Sequence, residues 1–136
     1  MLDKLAVATI WVKDQNESLR FYTEKLGFEI RTDFTNAGYR WLTIGLKGQP
    51  ELEFQLAAIK VGGGLTQEAV DALTQLVEAG QLGIGPWKTA DCQKTYEAFH
   101  AKGVEFLQAP IDRPYGIIEA IFKDNNGNIM VLSQDK

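Results

Sequence analysis

The sequence predicts an α+β fold built from two tandem modules, each made of one strand, one helix and three further strands (βαβββ). Three observations support this prediction. Apolar and β-branched runs of strand length alternate with amphipathic segments of helix length. Two of the helical segments begin at an aspartate in a capping position. The pattern of the first half returns in the second half, as an internal duplication would give.

The first module is predicted to cover residues 1–59. Its opening strand is the apolar run 6–12. Asp14 stands three residues before Glu17, which indicates a capping box at the start of a helix that ends near Gly27. The apolar face of this helix consists of Leu19, Tyr22 and Leu26. Turn residues then separate three further predicted strands, over 28–34, 39–46 and 51–56.

Residues 60–83 are predicted to be a helical linker, with a glycine-rich break at 60–64 and a helix over 66–79. The second module then covers 84–136. Its first strand, 84–89, contains Gly85 and Pro86 and is therefore expected to be irregular. A helix capped by Asp91 follows, and strands are predicted over 104–107, 117–122 and 129–133.

The internal repeat is visible in the spacing of the two helices. From Asp14, apolar residues stand at +5 and +8 and a glycine at +13. From Asp91, aromatic residues stand at +5 and +8 and a glycine at +12. Because the two patterns differ by one residue, we expect one domain, 1–136, made of two related modules.

The composition excludes several classes of function. Hydrophobic residues at 45% and charged residues at 24% are typical of a globular domain. A net charge of −4 with scattered basic residues disfavours nucleic-acid binding. No apolar run approaches the roughly 20 residues that span a bilayer, so no membrane insertion is expected. Cys92 is the single cysteine, which excludes an internal disulfide and favours a reducing cytoplasm.

Several short motifs occur in a characteristic order along nearly the whole chain. They are Trp-Val-Lys-Asp at 11–14, Phe-Tyr at 21–22, Leu-Gly-Phe at 26–28, Lys-Gly-Val-Glu-Phe at 102–106, Gly116 and Asp-Asn-Asn-Gly-Asn at 124–128. In this order the chain resembles the vicinal oxygen chelate superfamily, which includes glyoxalase, bleomycin resistance protein and extradiol dioxygenase. The last motif keeps three of the five positions of the usual Asp-Pro-Asp-Gly-Asn turn.

The resemblance implies curled sheets around a cup, with helices outside and a small-molecule ligand within. It also implies a homodimer. Strand alternation then predicts which side chains face the cup. The expected ligand-binding residues are Trp11, Tyr39, Trp41, Glu53, Gln55, Ile84, Glu119 and Val131. Whether Trp11 and Trp41 contact a ligand or belong to the core stays open, as does whether 60–83 covers the cup mouth or mediates dimer contacts.

Metal-using relatives hold a divalent ion with His, Glu or Gln side chains, two from each module. By resemblance, these positions fall at Val7, near Ile84 and at Val131, with Glu53 or Gln55 as the one potential donor. A catalytic zinc site needs about three protein ligands, so we expect no metal and no other cofactor. The single histidine, His100, is predicted on the polar side of its helix.

Two classes of function remain open. The first is a metal-free protein that binds a small apolar or aromatic ligand, where acidic groups would favour a cationic or hydrogen-bond-donating one. The second is a lyase, isomerase or dioxygenase-like enzyme with an unrecognised metal site, or with Glu53 or Glu119 as a base whose pKa is raised by desolvation. Cys92 lies in a predicted first helical turn, which could lower its thiol pKa, or it simply fills a helix face.

Overall fold

The computed structural model describes residues 1–136, which divide into two compact units, Met1–Thr74 and Gln75–Lys136. Each unit contains one four-stranded mixed sheet, so the predicted α+β class with tandem βαβββ modules is confirmed. The boundary between the units falls inside one helix, Gln67–Glu78. None of the helices has the length and apolarity that crossing a membrane requires.

The first unit has strand order β1-β4-β3-β2. Its strands are β1 (Val7–Val12), β2 (Glu29–Asn36), β3 (Tyr39–Gly45) and β4 (Glu53–Ala58). β1 runs parallel to β4, and the remaining pairs are antiparallel. Helix α1 (Gln15–Arg20) lies against β4 and continues as a π-helical turn over Phe21–Lys25. Helix α2 (Gln67–Glu78) follows β4 along the chain.

The second unit repeats this arrangement with strand order β5-β8-β7-β6. Its strands are β5 (Trp87–Lys88), β6 (Phe106–Asp112), β7 (Ile117–Lys123) and β8 (Ile129–Asp135). β5 runs parallel to β8, and the other pairs are antiparallel. Helix α3 (Cys92–Ala101) lies against β6, β7 and β8.

Both predicted helix caps are confirmed. The Asp14 carboxylate accepts a hydrogen bond from the backbone N–H of Glu17 at 2.9 Å. The Asp91 carboxylate accepts one from the N–H of Lys94 at 3.0 Å. Each bond satisfies an amide that the first helical turn would otherwise leave unpaired, which fixes where the helix starts.

Aromatic side chains form the core of each unit. In the first unit, Tyr22 is fully buried and packs edge-on against Phe21 and Phe28, with ring centroids 5.6 and 5.4 Å apart. In the second, Phe106 and Phe122 lie 5.3 Å apart. Phe99 of α3 packs against Phe122 of β7, with ring centroids 5.7 Å apart, which fastens this helix to one face of its own sheet.

Two strand predictions in the second module were wrong. The predicted strand 84–89 is reduced to β5, because Pro86 lacks an N–H to donate to a ladder. The predicted strand 104–107 starts later and runs longer, as β6. Val104 instead ends the helix, donating its N–H to Phe99 O at 3.1 Å. β6 is an edge strand with register shifts, where Pro110 is tolerated.

Candidate functional site

The first sheet has two chemically different faces. One face is packed into the core, since six of its side chains are at most 4% exposed: Ile10, Val12, Leu42, Ile44, Phe54 and Leu56. On the other face, Thr9 pairs with Gln55 and Trp11 pairs with Ala57 across β1 and β4. Thr43 of β3 lies opposite Gln55. The strand register therefore collects polar and aromatic residues on the face that the core does not use.

A cavity of about 460 Å³ opens on this face, which we call the aromatic cleft. The first-sheet strands and the start of α1 supply Thr9, Trp11, Gln15, Tyr39, Arg40, Gln55, Ala57 and Ala58. Two loops complete its wall with Ala37, Gly38, Lys60, Val61, Gly62, Gly63 and Leu65. Its volume lies within the range of about 300–1,000 Å³ that is usual for small-molecule sites.

A hydrogen-bonded pair, Gln55 and Tyr39, forms the polar centre of the aromatic cleft. Gln55 is only 8% exposed, and its Nε2 donates to Tyr39 Oη at 2.7 Å. Tyr39 itself is 49% exposed. Because its oxygen accepts from Gln55, its own O–H proton remains available for another acceptor. The pair thus presents an oriented donor in a cleft whose other aromatic lining residue is Trp11.

The rim of the cleft is held by contacts to the backbone. Gln15 Nε2 donates to Leu56 O at 2.8 Å, which ties the start of α1 to β4. The loop 60–65 closes on itself through two hydrogen bonds between Gly62 and Leu65, at 3.0 and 2.9 Å. Gly62, Gly63 and Gly64 all have positive φ angles, a conformation that side-chain-bearing residues rarely adopt. This conformation lets the loop form part of the cleft wall.

The second unit carries a separate cavity of about 700 Å³, which we call the apolar cleft. Its walls are the loop 80–86 together with Ile117, Glu119, Ile129 and Val131. Glu119 is its one acidic group, and it is ion-paired with Arg113 at 2.8 Å. Tyr115 Oη also donates to Glu119 at 3.0 Å. Desolvation and this hydrogen bond raise the pKa of Tyr115.

The eight predicted ligand-binding residues do not share one cavity. Trp11, Tyr39 and Gln55 line the aromatic cleft. Ile84, Glu119 and Val131 line the apolar cleft. Trp41 and Glu53 line neither of these cavities. Trp41 is half-buried on β3 opposite Phe34, and Glu53 accepts a hydrogen bond from the buried hydroxyl of Thr43 at 2.6 Å.

The predicted base candidates are both engaged by other side chains. Glu53 is bonded to Thr43, and Glu119 is held by Arg113 and Tyr115. A general base needs a carboxylate within hydrogen-bond reach of the substrate proton. Neither carboxylate stands alone in an apolar enclosure, which is the environment that the enzyme hypothesis requires.

The residues at the expected metal positions do not fit a metal. β1 and β4 place Val7 directly beside Glu53, and Ile84 and Val131 line the apolar cleft. Nowhere in the chain do three or more His, Cys, Asp or Glu side chains come together as a ligand set. A valine and isoleucine offer no lone pair, and one carboxylate does not hold a divalent ion at a catalytic site.

The remaining nucleophile candidate is buried. Cys92 is 0% exposed, and burial, followed by the carboxylates of Asp91 and Glu119, raises the pKa of its thiol. The first-turn position of Cys92 had left open a lowered thiol pKa, and that alternative is wrong. Cys92 instead fills a helix face. His100 is exposed on α3, with its ring 5.6 Å from that of Tyr96.

Comparison with known proteins identifies the family. Over residues 4–132, the sequence matches the Glyoxalase/Bleomycin resistance protein/Dioxygenase superfamily. The chain belongs to this superfamily. The membership confirms the resemblance that the order of the sequence motifs indicated, and it agrees with the two βαβββ modules described above.

Several known proteins match the chain over almost its full length. YurT of Bacillus subtilis strain 168 is 30% identical over 131 residues, covering 96% of this chain and 98% of YurT. The crystal structure of UcmS2 is 38% identical with a TM-score of 0.93, covering 99% of this chain and 100% of UcmS2. TnmS3, an antibiotic binding protein from Streptomyces sp. CB03234, shares the fold at 23% identity and a TM-score of 0.77, covering 99% and 98%.

Sequence reasoning left open whether 60–83 covers the cup mouth, and the first residues of this segment complete the wall of the aromatic cleft. Lys60, Val61, Gly62, Gly63 and Leu65 all fall in the predicted linker, yet they line the cleft. The signal was a run of three glycines directly after a predicted strand. Such a run permits a tight return of the chain, but it does not say onto which strand the loop folds.

Proposed function

We propose that this chain binds a small aromatic or apolar molecule without a metal, in the aromatic cleft. The proposal rests above all on the buried Gln55 that orients the phenol of exposed Tyr39 beside Trp11. Small-molecule sites combine apolar and aromatic surface with a few placed polar groups. In this cleft, Trp11, Val61 and Leu65 supply the apolar surface around the polar pair. Aromatic rings offer large contact areas at a low cost in conformational entropy.

The family and the donor chemistry support the same function. The superfamily includes bleomycin resistance proteins, and TnmS3, which has this fold, is an antibiotic binding protein. Binding of a small organic molecule requires no catalytic group. By resemblance, the positions where metal-using relatives hold their ion fall at Val7, near Ile84 and at Val131, and these apolar side chains support a metal-free mode of binding.

A thermal-shift screen of small aromatic, cationic and thiol-conjugate compounds tests this proposal, because a compound that binds only the native state raises its melting temperature. The compounds that raise it are then measured by calorimetry against Trp11→Ala. Trp87→Phe is the matched control, since Trp87 lies in the second unit with its Nε1 bonded to Ile84 O at 2.7 Å. We expect Trp11→Ala to weaken binding and Trp87→Phe to retain it.

Two outcomes would contradict the proposal. The first is that no compound of the screen shifts the melting temperature. The second is that the compounds bind equally well to Trp11→Ala and to the unmodified protein. Isothermal calorimetry separates a loss of affinity from a loss of stability, because both proteins are measured well below their melting temperatures.

We also propose that the chain forms a homodimer. Large apolar side chains stand exposed on the edge strands of both sheets, with Ile30 and Phe34 on β2 at 52% and 61%. On β6, Leu107 and Ile111 are 53% and 40% exposed. Clusters of exposed apolar groups often mark protein interfaces. Size-exclusion chromatography with light scattering should give twice the mass of one chain. The double variant Phe34→Glu/Leu107→Glu should give the mass of a single chain.

A reducing cytoplasm is the proposed compartment, because Cys92 is a free thiol with no partner for a disulfide. Fractionation of cells that express a tagged chain tests this, and recovery outside the cytoplasm would contradict it.

A further inference from the structure

The aromatic cleft contains no acidic side chain. Its ionisable lining groups are Arg40, Lys60 and the phenol of Tyr39. The sequence predicted acidic polar points at Glu53 and Glu119, but neither lines this cleft. A cationic ligand, which those carboxylates would have favoured, therefore finds no counter-charge among the cleft residues.

Arg40 is already neutralised by a neighbouring acid. Its Nε and Nη2 donate to the two carboxylate oxygens of Asp33, at 2.8 and 2.9 Å. Its Nη1 donates to Asn16 Oδ1 at 2.6 Å. This fork-like pairing holds the guanidinium in place and balances its charge, so Arg40 shapes the rim rather than attracting a ligand.

Lys60 keeps an unbalanced positive charge at the cleft. Its Nζ forms no salt bridge, and its hydrogen-bond partner is the backbone oxygen of Gly38 at 3.4 Å, a long contact. The side chain is exposed, and it stands on the same loop that lines the cleft. An ammonium group in this position is free to pair with an incoming negative charge.

Tyr39 supplies a directed donor in the same cleft. Gln55 is nine-tenths buried, and its N–H bond to Tyr39 Oη leaves the phenol proton unused by the protein. A hydrogen bond from a neutral donor to a charged acceptor is stronger than one to a neutral acceptor. The donor and the free ammonium of Lys60 together select for a negatively charged oxygen.

We infer that the ligand of the aromatic cleft is an aromatic anion, whose negatively charged oxygen is bound by the Tyr39 hydroxyl and the Lys60 ammonium while its ring packs on Trp11. Gln55 acts as a positioning residue, because it reaches the ligand only through Tyr39. This inference rests on the proposed function and narrows it to a class of ligand.

Three probes with one ring system test the inference: 2-naphthoate, 2-naphthamide and 2-naphthylmethylammonium. Their charges are negative, neutral and positive, while the naphthalene group stays the same. Calorimetric titrations of the full chain at low and high salt should give the highest affinity for 2-naphthoate. Its affinity should fall with added salt, because an exposed charge pair is screened.

Two substitutions assign the contacts. Lys60→Met should weaken 2-naphthoate binding by about two- to fivefold, the range for an exposed ion pair, and should remove the salt dependence. Tyr39→Phe should weaken it by about tenfold or more, since it removes a hydrogen bond to a charged group. Lys47→Met is the matched control, because Lys47 is exposed in a turn outside the cleft. It should leave 2-naphthoate binding unchanged.

The outcomes separate the inference from the proposed function. If 2-naphthamide or 2-naphthylmethylammonium binds more tightly than 2-naphthoate, the inference is overturned and the proposed function stands. If none of the three binds, the inference is overturned, while the proposed function is decided by the thermal-shift screen and the Trp11→Ala titration. If Lys60→Met behaves like Lys47→Met, or Tyr39→Phe retains full affinity for 2-naphthoate, the assigned contacts are wrong and the inference fails.

Discussion

Val7 and Glu53 lie directly opposite each other on the adjacent parallel strands β1 and β4. By resemblance, these are the two positions at which the first module of metal-using relatives supplies its ligands. The strand register therefore brings these two positions together, but only one of them carries a side chain that could bind a metal. The Glu53 carboxylate accepts a hydrogen bond from the Thr43 hydroxyl at 2.6 Å. The Val7 side chain has no lone pair with which to bind a metal.

The first prediction concerns metal content. After incubation with Zn²⁺, Ni²⁺ or Mn²⁺ and removal of the excess by dialysis, the purified chain should retain far less than one equivalent, because its side chains form no ligand set. A chelator should leave its melting temperature unchanged. Elemental analysis and a thermal melt with and without EDTA measure both. One tightly retained equivalent of any of these metals would contradict the metal-free proposal.

The second prediction uses the three tryptophans as reporters. A ligand in the aromatic cleft should quench the fluorescence of Trp11, which lines it, far more than that of Trp41 or Trp87, which do not. Trp11→Phe should therefore remove most of the ligand-induced quenching, while Trp87→Phe should retain it. Fluorescence titration with a compound from the thermal-shift screen checks this. Full quenching in Trp11→Phe would place the ligand elsewhere.

The sequence predicted the face of each strand better than the ends of the strands. Alternation along β1 and β4 placed Trp11 and Gln55 toward the cup. Their neighbours Ile10 and Phe54, which alternation then puts on the opposite face, are at most 4% exposed. A period of two follows directly from strand geometry, so it can be read from residues alone. The π-helical turn over Phe21–Lys25 and the long β6 were missed, because neither the extra residue in a turn nor an edge-strand proline leaves a periodic signal.

The site was predicted only in part, for a different reason. Trp11, Tyr39 and Gln55 follow from strand alternation, and all three line the aromatic cleft. Lys60 lies in a loop, whose path depends on long-range packing rather than on local pattern. Glu53 was predicted to face the ligand, and its hydrogen bond with Thr43 was not anticipated. Pairing of side chains across strands depends on their rotamers, which cannot be read from the sequence.

The third prediction concerns Cys92. Since the thiol is fully buried and its pKa is raised, it should react very slowly with a disulfide exchange reagent at pH 8 in the native chain. In denaturant it should react at once and to completion. Cys92→Ala should cost about 1–2 kcal/mol of unfolding free energy and leave ligand affinity intact. Rapid, complete labelling of the native chain would contradict the buried assignment.

The fourth prediction concerns Asp33 and its pH dependence. The hydrogen bond from Arg40 lowers the pKa of Asp33 in the folded chain. The ionised carboxylate therefore stabilises the fold. This stabilisation is complete at pH values above the ordinary Asp pKa of about 3.9, and it is lost as the pH falls through the lower pKa of the folded chain. Because the pair is exposed, Asp33→Asn should cost only about 0.2–1 kcal/mol.

Urea unfolding between neutral and acidic pH measures this difference. At neutral pH, the unfolding free energy of Asp33→Asn should be lower than that of the unmodified chain. This difference should shrink as the pH falls below about 4. Glu51→Gln is the matched control, because Glu51 is exposed and makes no salt bridge. A gap that stays constant down to the lowest pH at which the chain is folded would contradict the assigned cause.

The fifth prediction separates two neighbouring glycines in the loop that lines the aromatic cleft. Gly62 has φ +119°, outside the regions that L-residues adopt, whereas Gly63 has φ +56°, the left-handed conformation that asparagine tolerates. Gly62→Ala should therefore strain the loop by about 1–3 kcal/mol. No atom lies within 4 Å of an added Cβ at Gly62, so the strain comes from the backbone alone.

Because the loop is exposed, we expect it to relax away from the cleft rather than to unfold the unit. Gly62→Ala should weaken ligand binding while changing the melting temperature little. Gly63→Asn should leave the melting temperature nearly unchanged, since its φ suits asparagine. Calorimetry with a compound from the screen and a thermal melt distinguish affinity from stability. Equal affinities of Gly62→Ala and the unmodified chain would show that the conformation of Gly62 does not shape the cleft.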